Sequence, residues 1–193
     1  YMTLASEMLP VKNLLHPGQD ISYFMRSPNM TEADVVENKV RCGKLVEFDE
    51  TGREVWSYNL SKYIPGSDVV NRKGANGSFE YEVHENAFFF DEKSSYIYVS
   101  FNVISRIIKI KYPEGTVTNV YGEIFKPGMP ESWNGLFCNQ HSCKLSQKGY
   151  LYLFNNDICS DAPPKITMME ESNREKTGLK KVWEYQCTFE GVK

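Results

Sequence analysis

The sequence lacks the features that mark several large classes of protein. It has no run of 18 or more apolar residues, so no membrane-spanning helix is predicted. It has no basic block, and its 22 Lys and Arg residues are outnumbered by 25 Asp and Glu residues. The resulting formal charge of −3 argues against nucleic-acid binding as the main task. With 193 residues, of which 41% are hydrophobic, the chain is long enough to bury a core.

The cysteines also lack a recognisable pattern. There is no CxxC pair and no Cys–His spacing typical of a zinc site. Two interpretations stay open: buried free thiols, or an exported protein with one or two disulfides. Three Asn-x-Ser/Thr sequons, at Asn29, Asn59 and Asn76, are compatible with export, and we expect a secreted or periplasmic protein. The five cysteines are Cys42, Cys138, Cys143, Cys159 and Cys187.

The sequence does contain many short β-type runs separated by turns. The stretch GKLVEFDETGREVWSYNL (43–60) predicts a hairpin, because two alternating runs flank a turn that ends at Gly52. Two longer blocks, 79–123 and 137–187, each predict four strands. Residues 8–40 and 61–78 carry Pro, Gly, Asn and Ser with little periodicity, and we predict loops there.

These runs repeat along the chain. Gly52, Gly115 and Gly178 close the last hairpin turn of each copy and are spaced by 63 residues each time. The runs 1–7, 96–102 and 150–156 each start with Tyr and end on a polar residue. Four-stranded units repeated at this length favour an all-β fold, a β-propeller. A β-sandwich is the alternative, but it requires no such period.

The repeat predicts one domain over residues 1–193. We expect an incomplete blade at 1–60 with a loop insertion at 8–40, then blades at 79–123 and 137–187. The first copy starts at its second strand, and propellers typically have four to eight blades. The chain is therefore expected to be about three blades, or a fragment, of a ring that the rest of the propeller or a second chain completes.

Two histidines occupy the same place in successive copies. His84 and His141 each precede the second-strand run, and equivalent positions in neighbouring blades converge on the central channel. Imidazole suits nucleophilic attack and proton transfer, so one histidine could attack and the other donate a proton. The alternative is that both are hydrogen-bonded structural residues. No metal site is predicted, because two histidines without a repeated acidic residue are too few ligands.

The arrangement of histidine, hairpin, Ile-rich strand and Gly turn resembles the PAPS-independent arylsulfate sulfotransferases. The matching stretches are VHENAFFFDEKSSYIYVSFNVISRIIKIKYPEGTVTNVYGE and FCNQHSCKLSQKGYLYLFNND, with LVEFDETGREVWSYNL in support. The resemblance implies a six-bladed propeller that moves sulfuryl groups from an aryl sulfate to a phenol through a sulfohistidine. It implies no diffusible cofactor and small phenolic substrates.

The resemblance also assigns roles to residues. His141 matches the histidine that becomes sulfated, and His84 matches a second active-site histidine. Asn86 completes the His-x-Asn pattern of the family and is a candidate substrate-binding residue. Asn102 stands where the family usually has an arginine, and Arg106, four residues on, is a candidate to replace its charge.

Further implications concern a disulfide and the overall activity. The resemblance implies a short-loop disulfide near the active site, for which Cys138 and Cys143 are an imperfect match. The sequence leads to two hypotheses: a sulfotransferase with His141 as nucleophile and His84 as acid, or a non-catalytic propeller that binds a protein or glycan. The two histidines favour the enzyme, and Asn102 favours the binding protein.

Overall fold

The computed structural model divides the chain into two compact units, one ending at His84 and one beginning at Glu85. The single domain expected over 1–193 stays a prediction. No helix among the described residues is long and apolar enough to cross a bilayer. The structure describes residues 1–10, 12, 31, 39–62, 70–73, 79–82, 84–122, 136–158, 162–174 and 178–188.

The first unit holds one sheet built on a three-stranded antiparallel meander. Its strands are β1 (Met2–Pro10), β2 (Lys39–Phe48) and β3 (Glu54–Asn59), and a 3₁₀ turn (Leu60–Lys62) follows. This meander corresponds to the second, third and fourth strands of a blade. Two short strands join it, β4 (Val70–Lys73) and β5 (Phe79–Glu82), with β5 parallel to the start of β2.

Three boundaries differ from the sequence-based prediction. Strand β1 runs to Pro10 and β2 begins at Lys39, so both ends of the expected 8–40 loop are strand; most of its interior lies outside the described residues. Strand β4 lies within the expected 61–78 loop. Strand β5 belongs to the first sheet, so the blade expected over 79–123 has its first strand from Glu85. These short segments become strands through pairing with strands that are distant in the sequence. Their local sequence does not show that pairing.

The second unit holds two four-stranded antiparallel meanders in simple sequential order. The second sheet comprises β6 (Glu85–Asp91), β7 (Tyr96–Phe101), β8 (Arg106–Lys111) and β9 (Thr116–Gly122). The third sheet comprises β10 (His141–Leu145), β11 (Leu151–Asn155), β12 (Lys165–Glu171) and β13 (Leu179–Gln186). The prediction of an all-β fold made of four-stranded propeller blades is confirmed.

The last strand of all three meanders carries the same irregularity. A turn glycine with positive φ precedes it: Gly52 at 82°, Gly115 at 71° and Gly178 at 73°. One residue is then extra in the pairing, because the register shifts between Glu47 and Phe48, between Lys109 and Ile110, and between Met168 and Met169. A bulge at the same place in each sheet supports the repeat that the glycine spacing predicts.

The core of the second unit lies between its two sheets. Strand alternation sends Tyr98 and Ile107 of the second sheet toward Leu151 and Leu153 of the third. The first strands of the two sheets, β6 and β10, also contact each other. This packing brings the starts of β6 and β10 together, where the candidate site lies. The buried cluster comprises Tyr98, Ile107, Tyr121, Phe137, Cys143, Leu151, Leu153, Met169 and Leu179.

Candidate active site

His141 is the first residue of β10 and stands in a distorted backbone. Asn139 and Ser142, on either side of it, have left-handed φ values of 51° and 58°. A β-bulge follows, because the register shifts between His141 and Lys144. Left-handed conformations cost non-glycine residues free energy, and bulges re-aim side chains next to functional sites. The half-buried imidazole is therefore held in an orientation that a regular strand would not give it.

Asn102 contacts His141 directly. Its Nδ2 donates one hydrogen to the carbonyl oxygen of Asn139 at 2.8 Å, and its second hydrogen is shared between His141 Nε2 (3.2 Å) and the carbonyl oxygen of Gln140 (3.3 Å). Its Oδ1 accepts from Asn139 Nδ2 at 3.2 Å, which fixes the orientation of the amide. Because an amide nitrogen only donates, His141 Nε2 accepts, and the proton of the neutral ring is assigned to Nδ1.

Asn86 lies beside the same segment. It is the extra residue of a bulge at the start of β6, where Glu85 pairs with Phe101 and Ala87 with Ser100. Its Nδ2 donates to the carbonyl oxygen of Gln140 at 2.6 Å. Its Oδ1 is buried and has no hydrogen-bond partner among the residues that the structure describes. Both sheets of the second unit thus start with a bulge.

Gln140 anchors the histidine strand to the neighbouring sheet. Its side chain is fully buried, and Nε2 donates to Ser100 Oγ (3.0 Å) and to the carbonyls of Phe101 (3.0 Å) and Arg106 (3.1 Å). Hydrogen bonds of this kind inside a low-dielectric core are expensive to break. The residue preceding His141 is therefore fixed by its backbone and by its side chain.

Arg106 lies at the start of β8, and its side chain is 1% exposed. Its register partner on β7 is Phe101, and alternation puts it on the sheet face of Ile108 and Ile110. Ile107 lies on the other face, against the third sheet, where the Asn102 amide meets His141. Alternation in the sequence does not tell which face of β8 carries Arg106. The structure places it on the face opposite to that of Ile107. Its role as a replacement for the family arginine stays a prediction.

His84 is the last residue of the first unit and directly precedes β6. Its backbone φ is 56°, and its side chain is half-buried. It stands before β6 in the chain as His141 stands at the start of β10, which matches the repeat. The convergence of the two imidazoles stays a prediction.

Sequence reasoning misses two residues of the site, Gln140 and Asn156, of which Asn156 reaches it from the third sheet. Its Nδ2 donates to the carbonyl oxygen of Asn139 at 2.7 Å. Asn156 ends the third Tyr-initiated run, just as Asn102 ends the second. The repeat itself therefore contains the signal that could have found it.

The described cysteines answer one question from the sequence. Cys42, Cys143 and Cys187 are free thiols, and the first two are buried. The buried-thiol interpretation is thus confirmed for Cys42 and Cys143. A short-loop bond between Cys138 and Cys143 is not formed. Among the residues that the structure describes, no group of three His, Cys, Asp or Glu side chains is arranged to hold a metal ion.

The fold and the site define a class: a repeat protein of propeller-type sheets in which a histidine opens the first strand of a blade and neighbouring asparagines hold it. A comparison with family sequences identifies the family more closely, since the arylsulfotransferase (ASST) family matches residues 20–188. That match spans most of the chain, and the chain belongs to the arylsulfotransferase family. The family predicted from the sequence is confirmed, and sulfotransferase function follows in general terms. A search of the curated proteins gave no match.

Proposed function

We propose that the protein transfers a sulfuryl group from an aryl sulfate donor to a phenolic acceptor, with Nε2 of His141 as the attacking atom. The observation that carries the proposal is the contact between Asn102 Nδ2 and His141 Nε2. A donor at that distance favours the tautomer whose Nε2 bears a lone pair. A nucleophilic histidine needs that lone pair.

The reaction is a double displacement. Nε2 gives up the hydrogen bond from Asn102, and the freed lone pair attacks sulfur. An N–S bond forms, and the S–O bond to the aryl group breaks. The electron pair leaves with the phenolate oxygen, which takes a proton. In the second half, the hydroxyl oxygen of the acceptor attacks sulfur, the N–S bond breaks, and the acceptor loses its proton to a base. The electron pair returns to Nε2, so atoms and charge balance with no diffusible cofactor.

His84 is the proposed acid for the leaving phenolate. Its support is the His-x-Asn pattern with Asn86 and its place before β6, which matches the place of His141 before its own hairpin. Asn86 and Asn102 are the proposed donors to the sulfuryl oxygens through Nδ2, since both reach the histidine segment. A neutral amide stabilises developing charge less than the family arginine would, and losing such a contact costs roughly 10²–10³ in rate.

Release of nitrophenolate from 4-nitrophenyl sulfate, in the presence of a phenol, tests the proposal. We expect the wild type to release it and His141→Ala to lose at least about 10³-fold in rate, as removal of a nucleophile does. The chain has three histidines, and His16 lacks a counterpart at the repeat position that His84 and His141 share. His16→Ala is therefore the matched control and should keep the wild-type rate. Without acceptor, a sulfuryl adduct should accumulate on His141 and be visible by intact mass. A wild type that releases no nitrophenolate contradicts the proposal.

A second candidate function is a propeller that binds a protein or glycan without catalysis. Asn102 favours it, because its amide already has three acceptors and brings no charge to the site. An inactive wild type that binds glycans on an array would support this function over transfer.

We also propose that the protein is exported and that Cys138 is disulfide-bonded, whereas Cys42, Cys143 and Cys187 are free thiols. Non-reducing peptide mapping should recover the Cys138 peptide as a linked species. Of the three sequons, Asn59 is described, and its Nδ2 donates to Glu7 Oε1, so a glycan is expected elsewhere. Closure of the ring by further blades or a second chain remains part of the proposal.

A further inference from the structure

Two asparagines at equivalent repeat positions donate to one carbonyl oxygen. Asn102 directly follows β7, and Asn156 directly follows β11. Their amides reach the carbonyl oxygen of Asn139 at 2.8 Å and 2.7 Å, one from each sheet. A carbonyl oxygen has two lone pairs, so the two amides together satisfy it completely.

The carbonyl they hold belongs to a strained segment. Asn139 has a φ of 51° and Ser142 a φ of 58°, and this left-handed backbone is unfavourable for residues other than glycine. Strain of this kind persists only where the surroundings over-determine the backbone. His141 lies between the two strained residues, so the direction of its ring depends on what holds Asn139.

The end of β11 and the residues after it (155–157) hold the backbone around Asn139 from the side of the third sheet. Besides the bond from Asn156, Asn155 Oδ1 accepts from the Cys138 N–H at 2.8 Å. The Asp157 N–H donates to the carbonyl of Cys138 at 3.1 Å. Residues 155–157 therefore hold the backbone of Cys138 and Asn139, which directly precede Gln140 and His141. Among them, Asn156 is the one whose side chain bonds to Asn139.

We propose that Asn156 is a positioning residue: it acts through the Asn139 carbonyl and, with Asn102, fixes the tautomer and direction of the His141 imidazole. This inference rests on the proposed function for its kinetic consequence. It does not rest on that function for its structural consequence. Both asparagines hold the Asn139 carbonyl. Asn102 also contacts His141 directly, whereas Asn156 acts on it only through Asn139.

The test uses Asn156→Ala, with Asn173→Ala as the control, because Asn173 lies exposed in the turn after β12. We expect kcat for nitrophenolate release to fall about 10- to 100-fold with little change in KM, since small misplacement of a catalytic group costs rate. Asn156→Gln keeps a donor and should recover part of the loss. The control should match the wild type.

A second readout is independent of sulfuryl transfer. Long-range ¹⁵N–¹H NMR of the histidines should give a neutral His141 with Nε2 unprotonated in the wild type, and a mixture of tautomers or a broadened signal in Asn156→Ala. A wild type without transfer activity sinks the proposed function, and the NMR result then decides the positioning role alone. An unchanged His141 signal, or a kcat within twofold of the wild type, overturns the inference. If Asn156→Ala does not fold, Asn156→Gln carries both measurements, with a weaker effect expected in each.

Discussion

The amide nitrogen of Asn102 lies 3.2 Å from Nε2 of His141, although the two residues belong to different sheets. The contact joins the end of β7 to the start of β10. It sets a donor, not an acceptor, against the histidine. Its consequence is a defined tautomer in which Nδ1 carries the proton.

Exchanging that donor for an acceptor should reverse the tautomer. In Asn102→Asp, a carboxylate faces Nε2, so the ring should carry a proton on Nε2 and stay protonated to higher pH than in the wild type. The rate of sulfuryl transfer at neutral pH should fall, because Nε2 of His141 then carries a proton in place of a lone pair. A histidine NMR titration measures the first effect, with Asn173→Asp as a control that adds the same charge in an exposed turn. Identical titration curves in all three proteins would refute the donor role of Asn102.

A second prediction concerns a carboxylate between the two sheets. Glu171 on β12 accepts from Tyr98 Oη at 3.0 Å and pairs with Lys109 Nζ at 2.8 Å. Burial raises the pKa of Glu171, but the Lys109 hydrogen bond and charge and the Tyr98 hydroxyl outweigh it and hold the pKa below its usual 4.5. A depressed carboxyl pKa stabilises the fold above pH 4.5, and that stability is lost as the pH falls through the folded-state pKa.

Lys109→Met should therefore lower the free energy of unfolding more at pH 7 than at pH 3. The Glu171 side chain is 40% exposed, so solvent screening limits the pH-dependent part to about 1 kcal/mol. Urea unfolding at both pH values measures the difference. Lys144→Met, at an exposed position on β10, is the control and should be neutral. An equal cost at both pH values would show that Lys109 contributes through packing on Tyr96, over whose ring it lies at 4.5 Å.

A third prediction concerns the thiol of Cys143. Burial raises the pKa of this thiol well above its usual value, because the anion would have no solvent around it. In the native protein Cys143 should resist iodoacetamide, while the partly exposed Cys187 reacts. Both should react after unfolding. Peptide mass mapping after timed alkylation distinguishes them, and rapid native labelling of Cys143 would contradict its burial.

A fourth prediction compares two turn glycines in the second unit. Gly178 (φ 73°) and Gly149 (φ 82°) both adopt left-handed conformations, so alanine at either should cost about 1 kcal/mol. A Cβ on Gly178 would also lie 3.0 Å from a Tyr121 ring carbon, whereas one on Gly149 meets nothing within 4 Å. Gly178→Ala should therefore be the more destabilising, by roughly 1–3 kcal/mol of overpacking, in urea unfolding. Equal costs would mean that the Tyr121 ring moves aside freely.

Much of the fold is predictable from the sequence, for physical reasons that particular residues show. Gly52, Gly115 and Gly178 mark the meanders because only glycine adopts their positive φ without strain. Alternating runs such as 151–155 mark the strands because one side is buried more deeply than the other. Strands β4 and β5 escape prediction because each is four residues long and is defined by pairing with other strands.

The candidate site is only partly predictable. His141 and Asn102 stand out through the repeat and the family pattern, but the hydrogen bonds of Asn86 and Gln140 do not. Asn86 and Gln140 lie 54 residues apart, and a polar contact across that separation leaves no periodic trace in a sequence. The side of β8 that Arg106 occupies also follows only from register with Phe101.

The bulge in the last strand of each meander bears on how the protein behaves in solution. Strands β3, β9 and β13 are the end strands of their meanders, where a row of backbone N–H and C=O groups could template a foreign strand. The extra residue in each twists the edge and breaks the spacing of that row. On β13 this matters most, because Trp183 and Tyr185 are exposed there and stack with ring centroids 6.3 Å apart. The bulge lets the protein carry an aromatic edge with less risk of edge-to-edge aggregation.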